Sequence, residues 1–301
     1  MEYDFHIYCI YGIPSAILNF SLIICILSHK TFFQASFYRV YAFTLIVYLL
    51  TYLNTWITLK LPTLRALASF YANVEQAFWP FRLFIMFQGA AFHIQNLAQI
   101  LMHLNRFTSV FLPIRHHTLW SPRNINIAFF LAYLIGILLS YQYFFLNGSV
   151  FIQVGATTIQ GAALRDQYAI SAFIVKIMGY VYPPISLGLN ILIFAKMFLL
   201  RRRKKRDDTW SRVELNLFFI GFCTMITQLG LLLFLNFGLQ FVDLTIIYFA
   251  MNLASDLSTL SEAYIGLAIN QQIRRKFIEM FHKMIDMKSM SQRIDITPRP
   301  R

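Results

Sequence analysis

The chain has 301 residues, of which 58% are hydrophobic and only 13% are charged, whereas soluble domains are about a quarter charged. A globule of this size could not bury so much apolar surface, so the composition excludes an ordinary soluble domain and indicates a membrane protein. The net charge of +13 alone would suit a nucleic-acid partner, but the positions of the charges, given below, argue against one.

Seven apolar runs are long enough to cross a bilayer, whose hydrocarbon core takes about 20 helical residues. They cover residues 5–28, 40–59, 81–104, 125–146, 169–200, 215–239 and 244–269. We therefore predict one all-α membrane domain over residues 1–301, a seven-transmembrane helix bundle. The first five residues carry no Lys or Arg, which argues against a cleaved signal peptide and for an uncleaved first span.

Lysine and arginine in the short connecting segments predict the orientation. Twenty of the 26 fall in segments on the side of the C-terminus, and three, namely Lys60, Arg65 and Arg165, fall on the opposite side. This asymmetry predicts an extracellular N-terminus and a cytoplasmic C-terminus. The surplus positive charge is thereby explained by membrane topology and by an anionic inner leaflet, and we expect no nucleic-acid partner.

A polar stripe follows one face of the third span. At about 100° per residue, Gln88, Gln95, Gln99 and Arg106 fall within roughly 20° of one line. Polar groups of a spanning helix face the bundle interior, because lipid offers them no partners. The stripe is either a functional surface or a set of helix–helix hydrogen bonds. Arg106, at its cytoplasmic end, is either a topology anchor or part of a switch.

The outer loop of residues 147–168 carries no cysteine, because Cys9, Cys25 and Cys223 all lie in or beside apolar runs. No disulfide can therefore hold this loop to the third span. Two short β-prone runs around Gly155 predict a hairpin that covers the bundle. Asn147 begins a glycosylation sequon on the outer side, although it abuts the fourth span, where a glycan would crowd the membrane.

The seventh span places a carboxylate at membrane depth. Asp256 is roughly 18 Å below the outer end at about 1.5 Å per residue, so it needs a partner, a cavity or a proton. Arg82 and Lys176 are the candidate partners, although Lys176 can instead snorkel to the outer surface. Glu262 is nearer the cytoplasmic end, where we expect it to face water.

Two basic segments mark the cytoplasmic face. The run "RRRKKR" (201–206) extends the fifth helix, and residues 270–284 have apolar side chains at helical spacing. We predict that the second segment is an amphipathic helix lying on the membrane, with its bases toward anionic lipid. The tail of residues 290–301 is predicted to be disordered.

These features together resemble a G-protein-coupled receptor. More narrowly, "LNRFTSVFLP" (104–113) and "YGIPSAIL" (11–18) resemble the nematode serpentine receptors of class gamma, the Srg family of chemoreceptors. The resemblance implies a plasma-membrane receptor of a sensory-neuron cilium, with a small-molecule ligand and a heterotrimeric G protein as partners. Asn105 stands where the rhodopsin-like family has an acid before the arginine, so that family's activation switches are not carried over.

On this interpretation the ligand lies within the outer half of the helix bundle. The candidate ligand-pocket residues are Gln88, His93, Gln95, Asn96, Lys176, Tyr180, Asn252 and Asp256, and the candidate coupling residues are Arg106, Arg201, Arg202, Arg203, Arg274 and Arg275. We find no catalytic motif and expect no enzyme activity, cofactor or metal. The competing hypothesis is a proton-coupled transporter or a ligand-gated channel, although the internal repeats typical of transporters are missing.

Overall fold

The computed structural model describes residues 2–73, 79–145, 151–154, 157–160, 169–203 and 244–295, with isolated positions between 219 and 230. Apart from one hairpin, the described elements are helices. The helices are α1 Glu2–Ser28, α2 Lys30–Gln34, α3 Ser36–Thr55, α4 Arg65–Asn73, α5 Trp79–Phe111, α6 Pro113–Leu119, α7 Pro122–Ser140, α8 Gln142–Phe145, α9 Ala169–Arg203, α10 Leu244–Ile269 and α11 Gln271–Asp295, and the strands are β1 Phe151–Val154 and β2 Thr157–Gln160.

Four described helical segments are long and apolar enough to cross a membrane: Phe5–Ser28, Ser36–Thr63, Pro122–Ser140 and Phe173–Leu199. They correspond to the first, second, fourth and fifth predicted spans. The third and seventh predicted spans are also helices at the predicted places, α5 and α10, but both carry buried polar side chains and are not among the four. Most of the sixth predicted span, 215–239, lies outside the described residues.

The second span is longer than predicted, because the helix does not end near residue 59. After α3 the chain continues as a π-helical turn, Trp56–Lys60, and a 3-10 turn, Leu61–Thr63. Such a change of pitch frees backbone carbonyls, which must find donors when water is excluded. Threonine hydroxyls add donors along this stretch, since Thr55 donates to Tyr52 O at 2.7 Å, Thr58 to Asn54 O at 3.0 Å and Thr63 to Lys60 O at 2.7 Å.

The main core lies where α1, α3 and α10 meet. Fully buried apolar side chains from α1 and α3, such as Ile26 and Leu45, pack in one cluster with Ala263 of α10. Ile273, at the start of α11, belongs to the same cluster. The core therefore fixes these three helices against one another, and it also fixes the first turn of the helix that follows them.

The predicted hairpin is confirmed. Strands β1 and β2 pair antiparallel, with Phe151 opposite Gln160 and Val154 opposite Thr157. Thr158 donates to Pro62 O at 2.8 Å, which ties the hairpin to the end of the second span. The described cysteines are free, as expected, so hydrogen bonding and packing hold this loop in place of a disulfide.

Aromatic packing completes the anchor of the hairpin. The rings of Tyr71, Phe81 and Phe151 are mutually edge-on, with centroids 4.9–5.8 Å apart. The Tyr71 hydroxyl donates to Ile57 O at 2.9 Å, and burial raises the Tyr71 pKa to about 12. This tyrosine thus joins α4 to the π-helical turn and to the hairpin at once.

Helix α11 begins at a side-chain cap. Asn270 Oδ1 accepts from the backbone N–H groups of Gln272 and Ile273 at 3.0 and 3.2 Å, an arrangement typical of a helix N-cap. The helix continues to Asp295, beyond the predicted end near residue 284 and into the segment from residue 290. Its second half contains no Gly or Pro that would end a helix; the first proline comes at Pro298.

Candidate functional site

A buried ion pair joins the second span to α10. Lys60 Nζ lies 2.7 Å from Asp256 Oδ1, and the two side chains are 0% and 1% exposed. Tyr11 of α1 donates its hydroxyl to the other carboxylate oxygen, Oδ2, at 2.6 Å. The carboxylate is therefore held from two sides, by groups on two other helices. A buried charge pair is stable only when such additional hydrogen bonds satisfy it.

Aromatic rings surround the ammonium group of this pair. Lys60 Nζ lies 4.1, 5.3 and 5.8 Å from the ring centroids of Tyr52, Trp56 and Tyr8, respectively. It also donates to Thr55 Oγ1 at 3.2 Å. Ring faces attract cations within about 6 Å, so the ammonium has a carboxylate, a hydroxyl and a π surface as partners. We call Tyr8, Tyr52 and Trp56 the aromatic cage.

The interior position predicted for Asp256 is confirmed, but the partner differs from both predicted ones. The sequence placed Lys60 in an extracellular segment, whereas it lies within the candidate span Ser36–Thr63. The π-helical turn keeps the chain helical through Lys60, and the side chain is long enough to reach the carboxylate. Of the two predicted partners, Lys176 is exposed on α9.

The predicted polar stripe of α5 faces α3 in the C-terminal half of α5. Gln99 Nε2 donates to Tyr48 Oη at 2.6 Å, and both side chains are buried. Arg106 is only 5% exposed, and its guanidinium carbon lies 4.1 Å from the ring centroid of Phe37. A topology anchor needs no burial, so the stacked position of Arg106 favours a structural or switching role.

The candidate ligand-pocket residues divide into three groups. His93, Asn96, Asn252 and Asp256 are buried, Gln88 and Gln95 are half-buried, and Lys176 and Tyr180 are exposed. His93 Nδ1 is 3.2 Å from Tyr182 Oη of α9, so this histidine links α5 to α9. Of the candidate pocket residues, His93, Gln95 and Asn252 each have a buried atom without a hydrogen-bond partner among the described residues, and two of these atoms are His93 Nε2 and Asn252 Oδ1. Buried polar atoms are normally satisfied, so each of these two atoms can accept a partner that a ligand supplies.

A second polar network lies at the other end of α5, and the sequence did not predict it. The His116 ring, on α6, lies between two hydroxyls: Nε2 is 3.1 Å from Ser36 Oγ and Nδ1 is 3.0 Å from Thr108 Oγ1. Asn105 Nδ2 donates to Ser36 Oγ at 3.0 Å, and Trp120 Nε1 donates to Thr108 Oγ1 at 2.7 Å. The network joins the start of α3, the end of α5 and the connecting helix α6.

The comparison with protein families decides the identity of the chain. The profile of the Srg family of chemoreceptors matches residues 5–277. The chain belongs to this family. Comparison with individual curated proteins finds no match. The Srg match covers the ion pair, the α5 stripe and the His116 network, and it identifies a family of receptors rather than enzymes.

The structure describes part of the basic surface that the sequence predicts for this Srg chemoreceptor. Arg201, Arg202 and Arg203 form the last turn of α9, and residues 204–218 lie outside the described residues, as does the candidate glycosylation site Asn147. Arg274 is exposed and donates to Ala268 O at 3.0 Å, so it satisfies a carbonyl at the end of α10. Arg275 is exposed as well and forms an ion pair with Glu279 at 3.1 Å.

Glu279 of α11 pairs with basic neighbours on the same helix. Lys276 donates to Glu279 at 2.6 Å and holds the pKa of that carboxyl below its usual range. A lowered pKa means that the contribution of this pair is present at neutral pH and is lost as the pH falls through the lowered value. The Lys276 and Glu279 side chains are 38% and 37% exposed, so solvent screens the pair and its contribution to stability is small. Among the described residues, no group of three or more His, Cys, Asp or Glu side chains could hold a metal ion.

Proposed function

We propose that this Srg chemoreceptor is a seven-helix, G-protein-coupled receptor with an extracellular N-terminus. It binds a small ligand inside the helix bundle and signals through a heterotrimeric G protein at its cytoplasmic face. It acts at the plasma membrane, and the family resemblance points to a sensory cilium. The observation that carries the proposal is the buried Lys60–Asp256 pair with its Tyr11 hydrogen bond.

This ion pair supports a ligand-responsive interior for two reasons. Burying its charges costs free energy, and its groups come from several helices. Charges within a membrane span are rare, and they usually mark functional pathways or ligand counter-ions. Here the charged groups connect α1, α3 and α10, so a change at the carboxylate affects three helices. The unpartnered atoms His93 Nε2 and Asn252 Oδ1 add polar groups that a ligand can satisfy.

Helix α3 offers a physical connection between the ligand end and the cytoplasmic end. Its C-terminal extension holds Lys60 against Asp256, and Phe37, near its start, lies beneath the Arg106 guanidinium. These two positions are about 35 Å apart along a helix at about 1.5 Å per residue. A small rotation or shift of α3 would change both contacts, which is the kind of two-state element that coupling requires.

The cytoplasmic surface supports a coupling role. Arg106 is buried beside α3, the His116 network joins α3, α5 and α6, and the exposed bases of α11 include Arg274 and Arg275. In the same helix, Ile273 is fully buried and Phe277 packs beside Phe281 at 4.9 Å, and Arg275 is about 160° around the helix from Phe277. This distribution suits a helix that lies on an anionic inner leaflet next to a bound G protein.

The proposed function is tested with purified receptor in nanodiscs. Nucleotide exchange on added heterotrimeric G proteins should rise when an active compound from a chemical library is present. Arg106→Ala receptor at the same concentration is the matched control and should give a smaller rise. Ligand-dependent flux of a solute into receptor liposomes, with no nucleotide exchange on any G protein, would instead identify a transporter or channel.

A further inference from the structure

We propose that the aromatic cage and Asp256 form a recognition site for a small organic ammonium ligand, which the Lys60 side chain occupies in this structure. The inference rests on the proposed function in that it names the ligand class of the same receptor. In the ligand-bound receptor, the ammonium of the ligand takes the place of the Lys60 ammonium. The Lys60 ammonium thus competes with the ligand for the same site while it remains covalently attached to the receptor.

The chemistry of the site matches a cation rather than an anion. A carboxylate with its second oxygen already held by Tyr11, together with the faces of Tyr52, Trp56 and Tyr8, is a complete set of partners for one ammonium group. The rings and the carboxylate come from α1, α3 with its extension, and α10, so the site is built by the fold and does not depend on one flexible loop.

Lys60 can leave the ion pair more easily than Asp256 can. Asp256 has a short side chain in the interior of α10 and is fixed by the Tyr11 hydrogen bond at 2.6 Å. Lys60 has a long, flexible side chain on the π-helical turn at the end of the second span. A ligand that displaces one partner would therefore displace Lys60, and only a cation can replace it against Asp256.

The residues around the aromatic cage indicate the side from which a ligand can enter. Trp56 is only partly buried, whereas Lys60, Tyr8 and Tyr52 are buried. Phe5, near the start of α1, packs edge-on against Trp56 with centroids 5.7 Å apart and is also only partly buried. Movement of these two rings would open the cage on the side of the N-terminus of α1, which is the proposed extracellular side.

The experiment removes the Lys60 ammonium by mutation and supplies a free ammonium compound in solution. Lys60→Ala removes three methylene groups and the ammonium, which together correspond to n-propylammonium. Purified Lys60→Ala receptor should show a saturable rise of Tm with n-propylammonium, and neither n-propanol nor propanoate should reproduce it. Wild-type receptor should show the same selective rise at higher concentrations, because the probe must first displace Lys60.

Three variants serve as controls. Lys60→Met keeps the cage filled with an apolar chain, so n-propylammonium should not change its Tm. Lys60→Ala combined with Asp256→Asn removes the counter-ion and should abolish the rise. Lys30→Ala removes an exposed lysine of α2 and should respond as the wild type does.

The outcomes separate this inference from the proposed function. If Lys60→Ala is poorly folded, n-propylammonium present during expression should raise the yield of folded receptor more than n-propanol does. The ammonium site is contradicted if the probe neither raises Tm nor raises this yield, or if propanoate stabilises the wild type through Lys60. Nucleotide exchange without an ammonium effect would overturn only the ligand class, and an ammonium effect without nucleotide exchange would overturn only the signalling.

Discussion

The Tyr41 hydroxyl lies against Gly266, in the space that a β-carbon at this position would occupy. The same hydroxyl donates to Glu262 O at 2.9 Å, one turn earlier in α10. Tyr52 makes a matching contact with Gly12 on the α1 side. Helix α3 thus places tyrosines against glycines of both neighbouring helices, which lets the three helices approach closely around the ion pair.

Gly266→Ala should therefore destabilise the receptor. The new methyl group would meet the Tyr41 oxygen and ring in a buried site, and overpacking of this kind costs about 1–3 kcal/mol. Thermal unfolding in detergent, with and without the substitution, measures the loss.

Gly188→Ala is the matched control for this substitution. Within the described part of the chain, a β-carbon there has no heavy atom within 4 Å, so the change should be neutral or should stabilise α9 by roughly 0.5–1 kcal/mol through helix propensity. Removing the Tyr41 hydroxyl with Tyr41→Phe should restore part of the stability lost in Gly266→Ala. An equal loss in Gly266→Ala and Gly188→Ala would argue against the close approach.

The ion pair gives a second prediction. Asp256→Asn leaves the Lys60 ammonium buried without its counter-ion, and breaking a buried pair in this way costs about 3–5 kcal/mol. Lys60→Met leaves the carboxylate stranded and should cost a similar amount. The double variant removes both charges, so its loss of stability should be clearly smaller than the sum of the two single losses.

Thermal unfolding and the yield of folded receptor measure this double-mutant cycle. Lys30→Met controls for the loss of a lysine in general, and because this side chain is exposed in α2, outside the candidate spans, its effect should stay within about 0.5 kcal/mol. Additive losses from Lys60→Met and Asp256→Asn would mean that the two groups do not interact energetically.

The general architecture was predictable because long apolar runs and short β-prone runs are local signals. The four described candidate spans, the hairpin around Gly155 and the burial of Asp256 agree with the sequence predictions. The stripe on α5 was also predictable, since helical periodicity alone puts Gln99 and Arg106 on one face. Ligand binding by these residues remains a prediction, because periodicity does not identify an occupant.

The partner of Asp256 was not predictable in the same way. A lysine shortly before Pro62 reads as a loop residue, and only the π-helical turn keeps it within the span. Three threonines between positions 55 and 63, all able to satisfy freed carbonyls, were the available signal. The His116 network was missed for a related reason, since it joins residues up to 80 positions apart through tertiary contacts.

Arg106 gives a third prediction. Its guanidinium stacks on Phe37, and a planar guanidinium stacks where a lysine ammonium does not. Arg106→Ala and Arg106→Lys should both reach the cell surface, and both should reduce ligand-dependent nucleotide exchange, with the larger reduction in Arg106→Ala.

The comparison requires matched surface expression, measured by antibody labelling of an N-terminal tag. Phe37→Leu keeps an apolar side chain but removes the ring face, so it should reproduce part of the Arg106→Lys defect. Wild-type signalling in Arg106→Lys would indicate that charge alone matters at this position, as expected of a topology anchor. Equal signalling in both Arg106 variants would exclude the switch.

Every residue described as extracellular or cytoplasmic depends on the orientation of the chain in the membrane. Epitope tags test this orientation directly. A tag placed before Glu2 should be labelled on intact cells, because the positive charge of the connecting segments predicts an extracellular N-terminus. A tag at Asp207, beside the run "RRRKKR", should be labelled only after the cells are permeabilised. Labelling of both tags after permeabilisation is the control for their exposure. The reverse pattern on intact cells would place the bases of α11 and Arg106 outside, and it would contradict coupling to a cytoplasmic G protein.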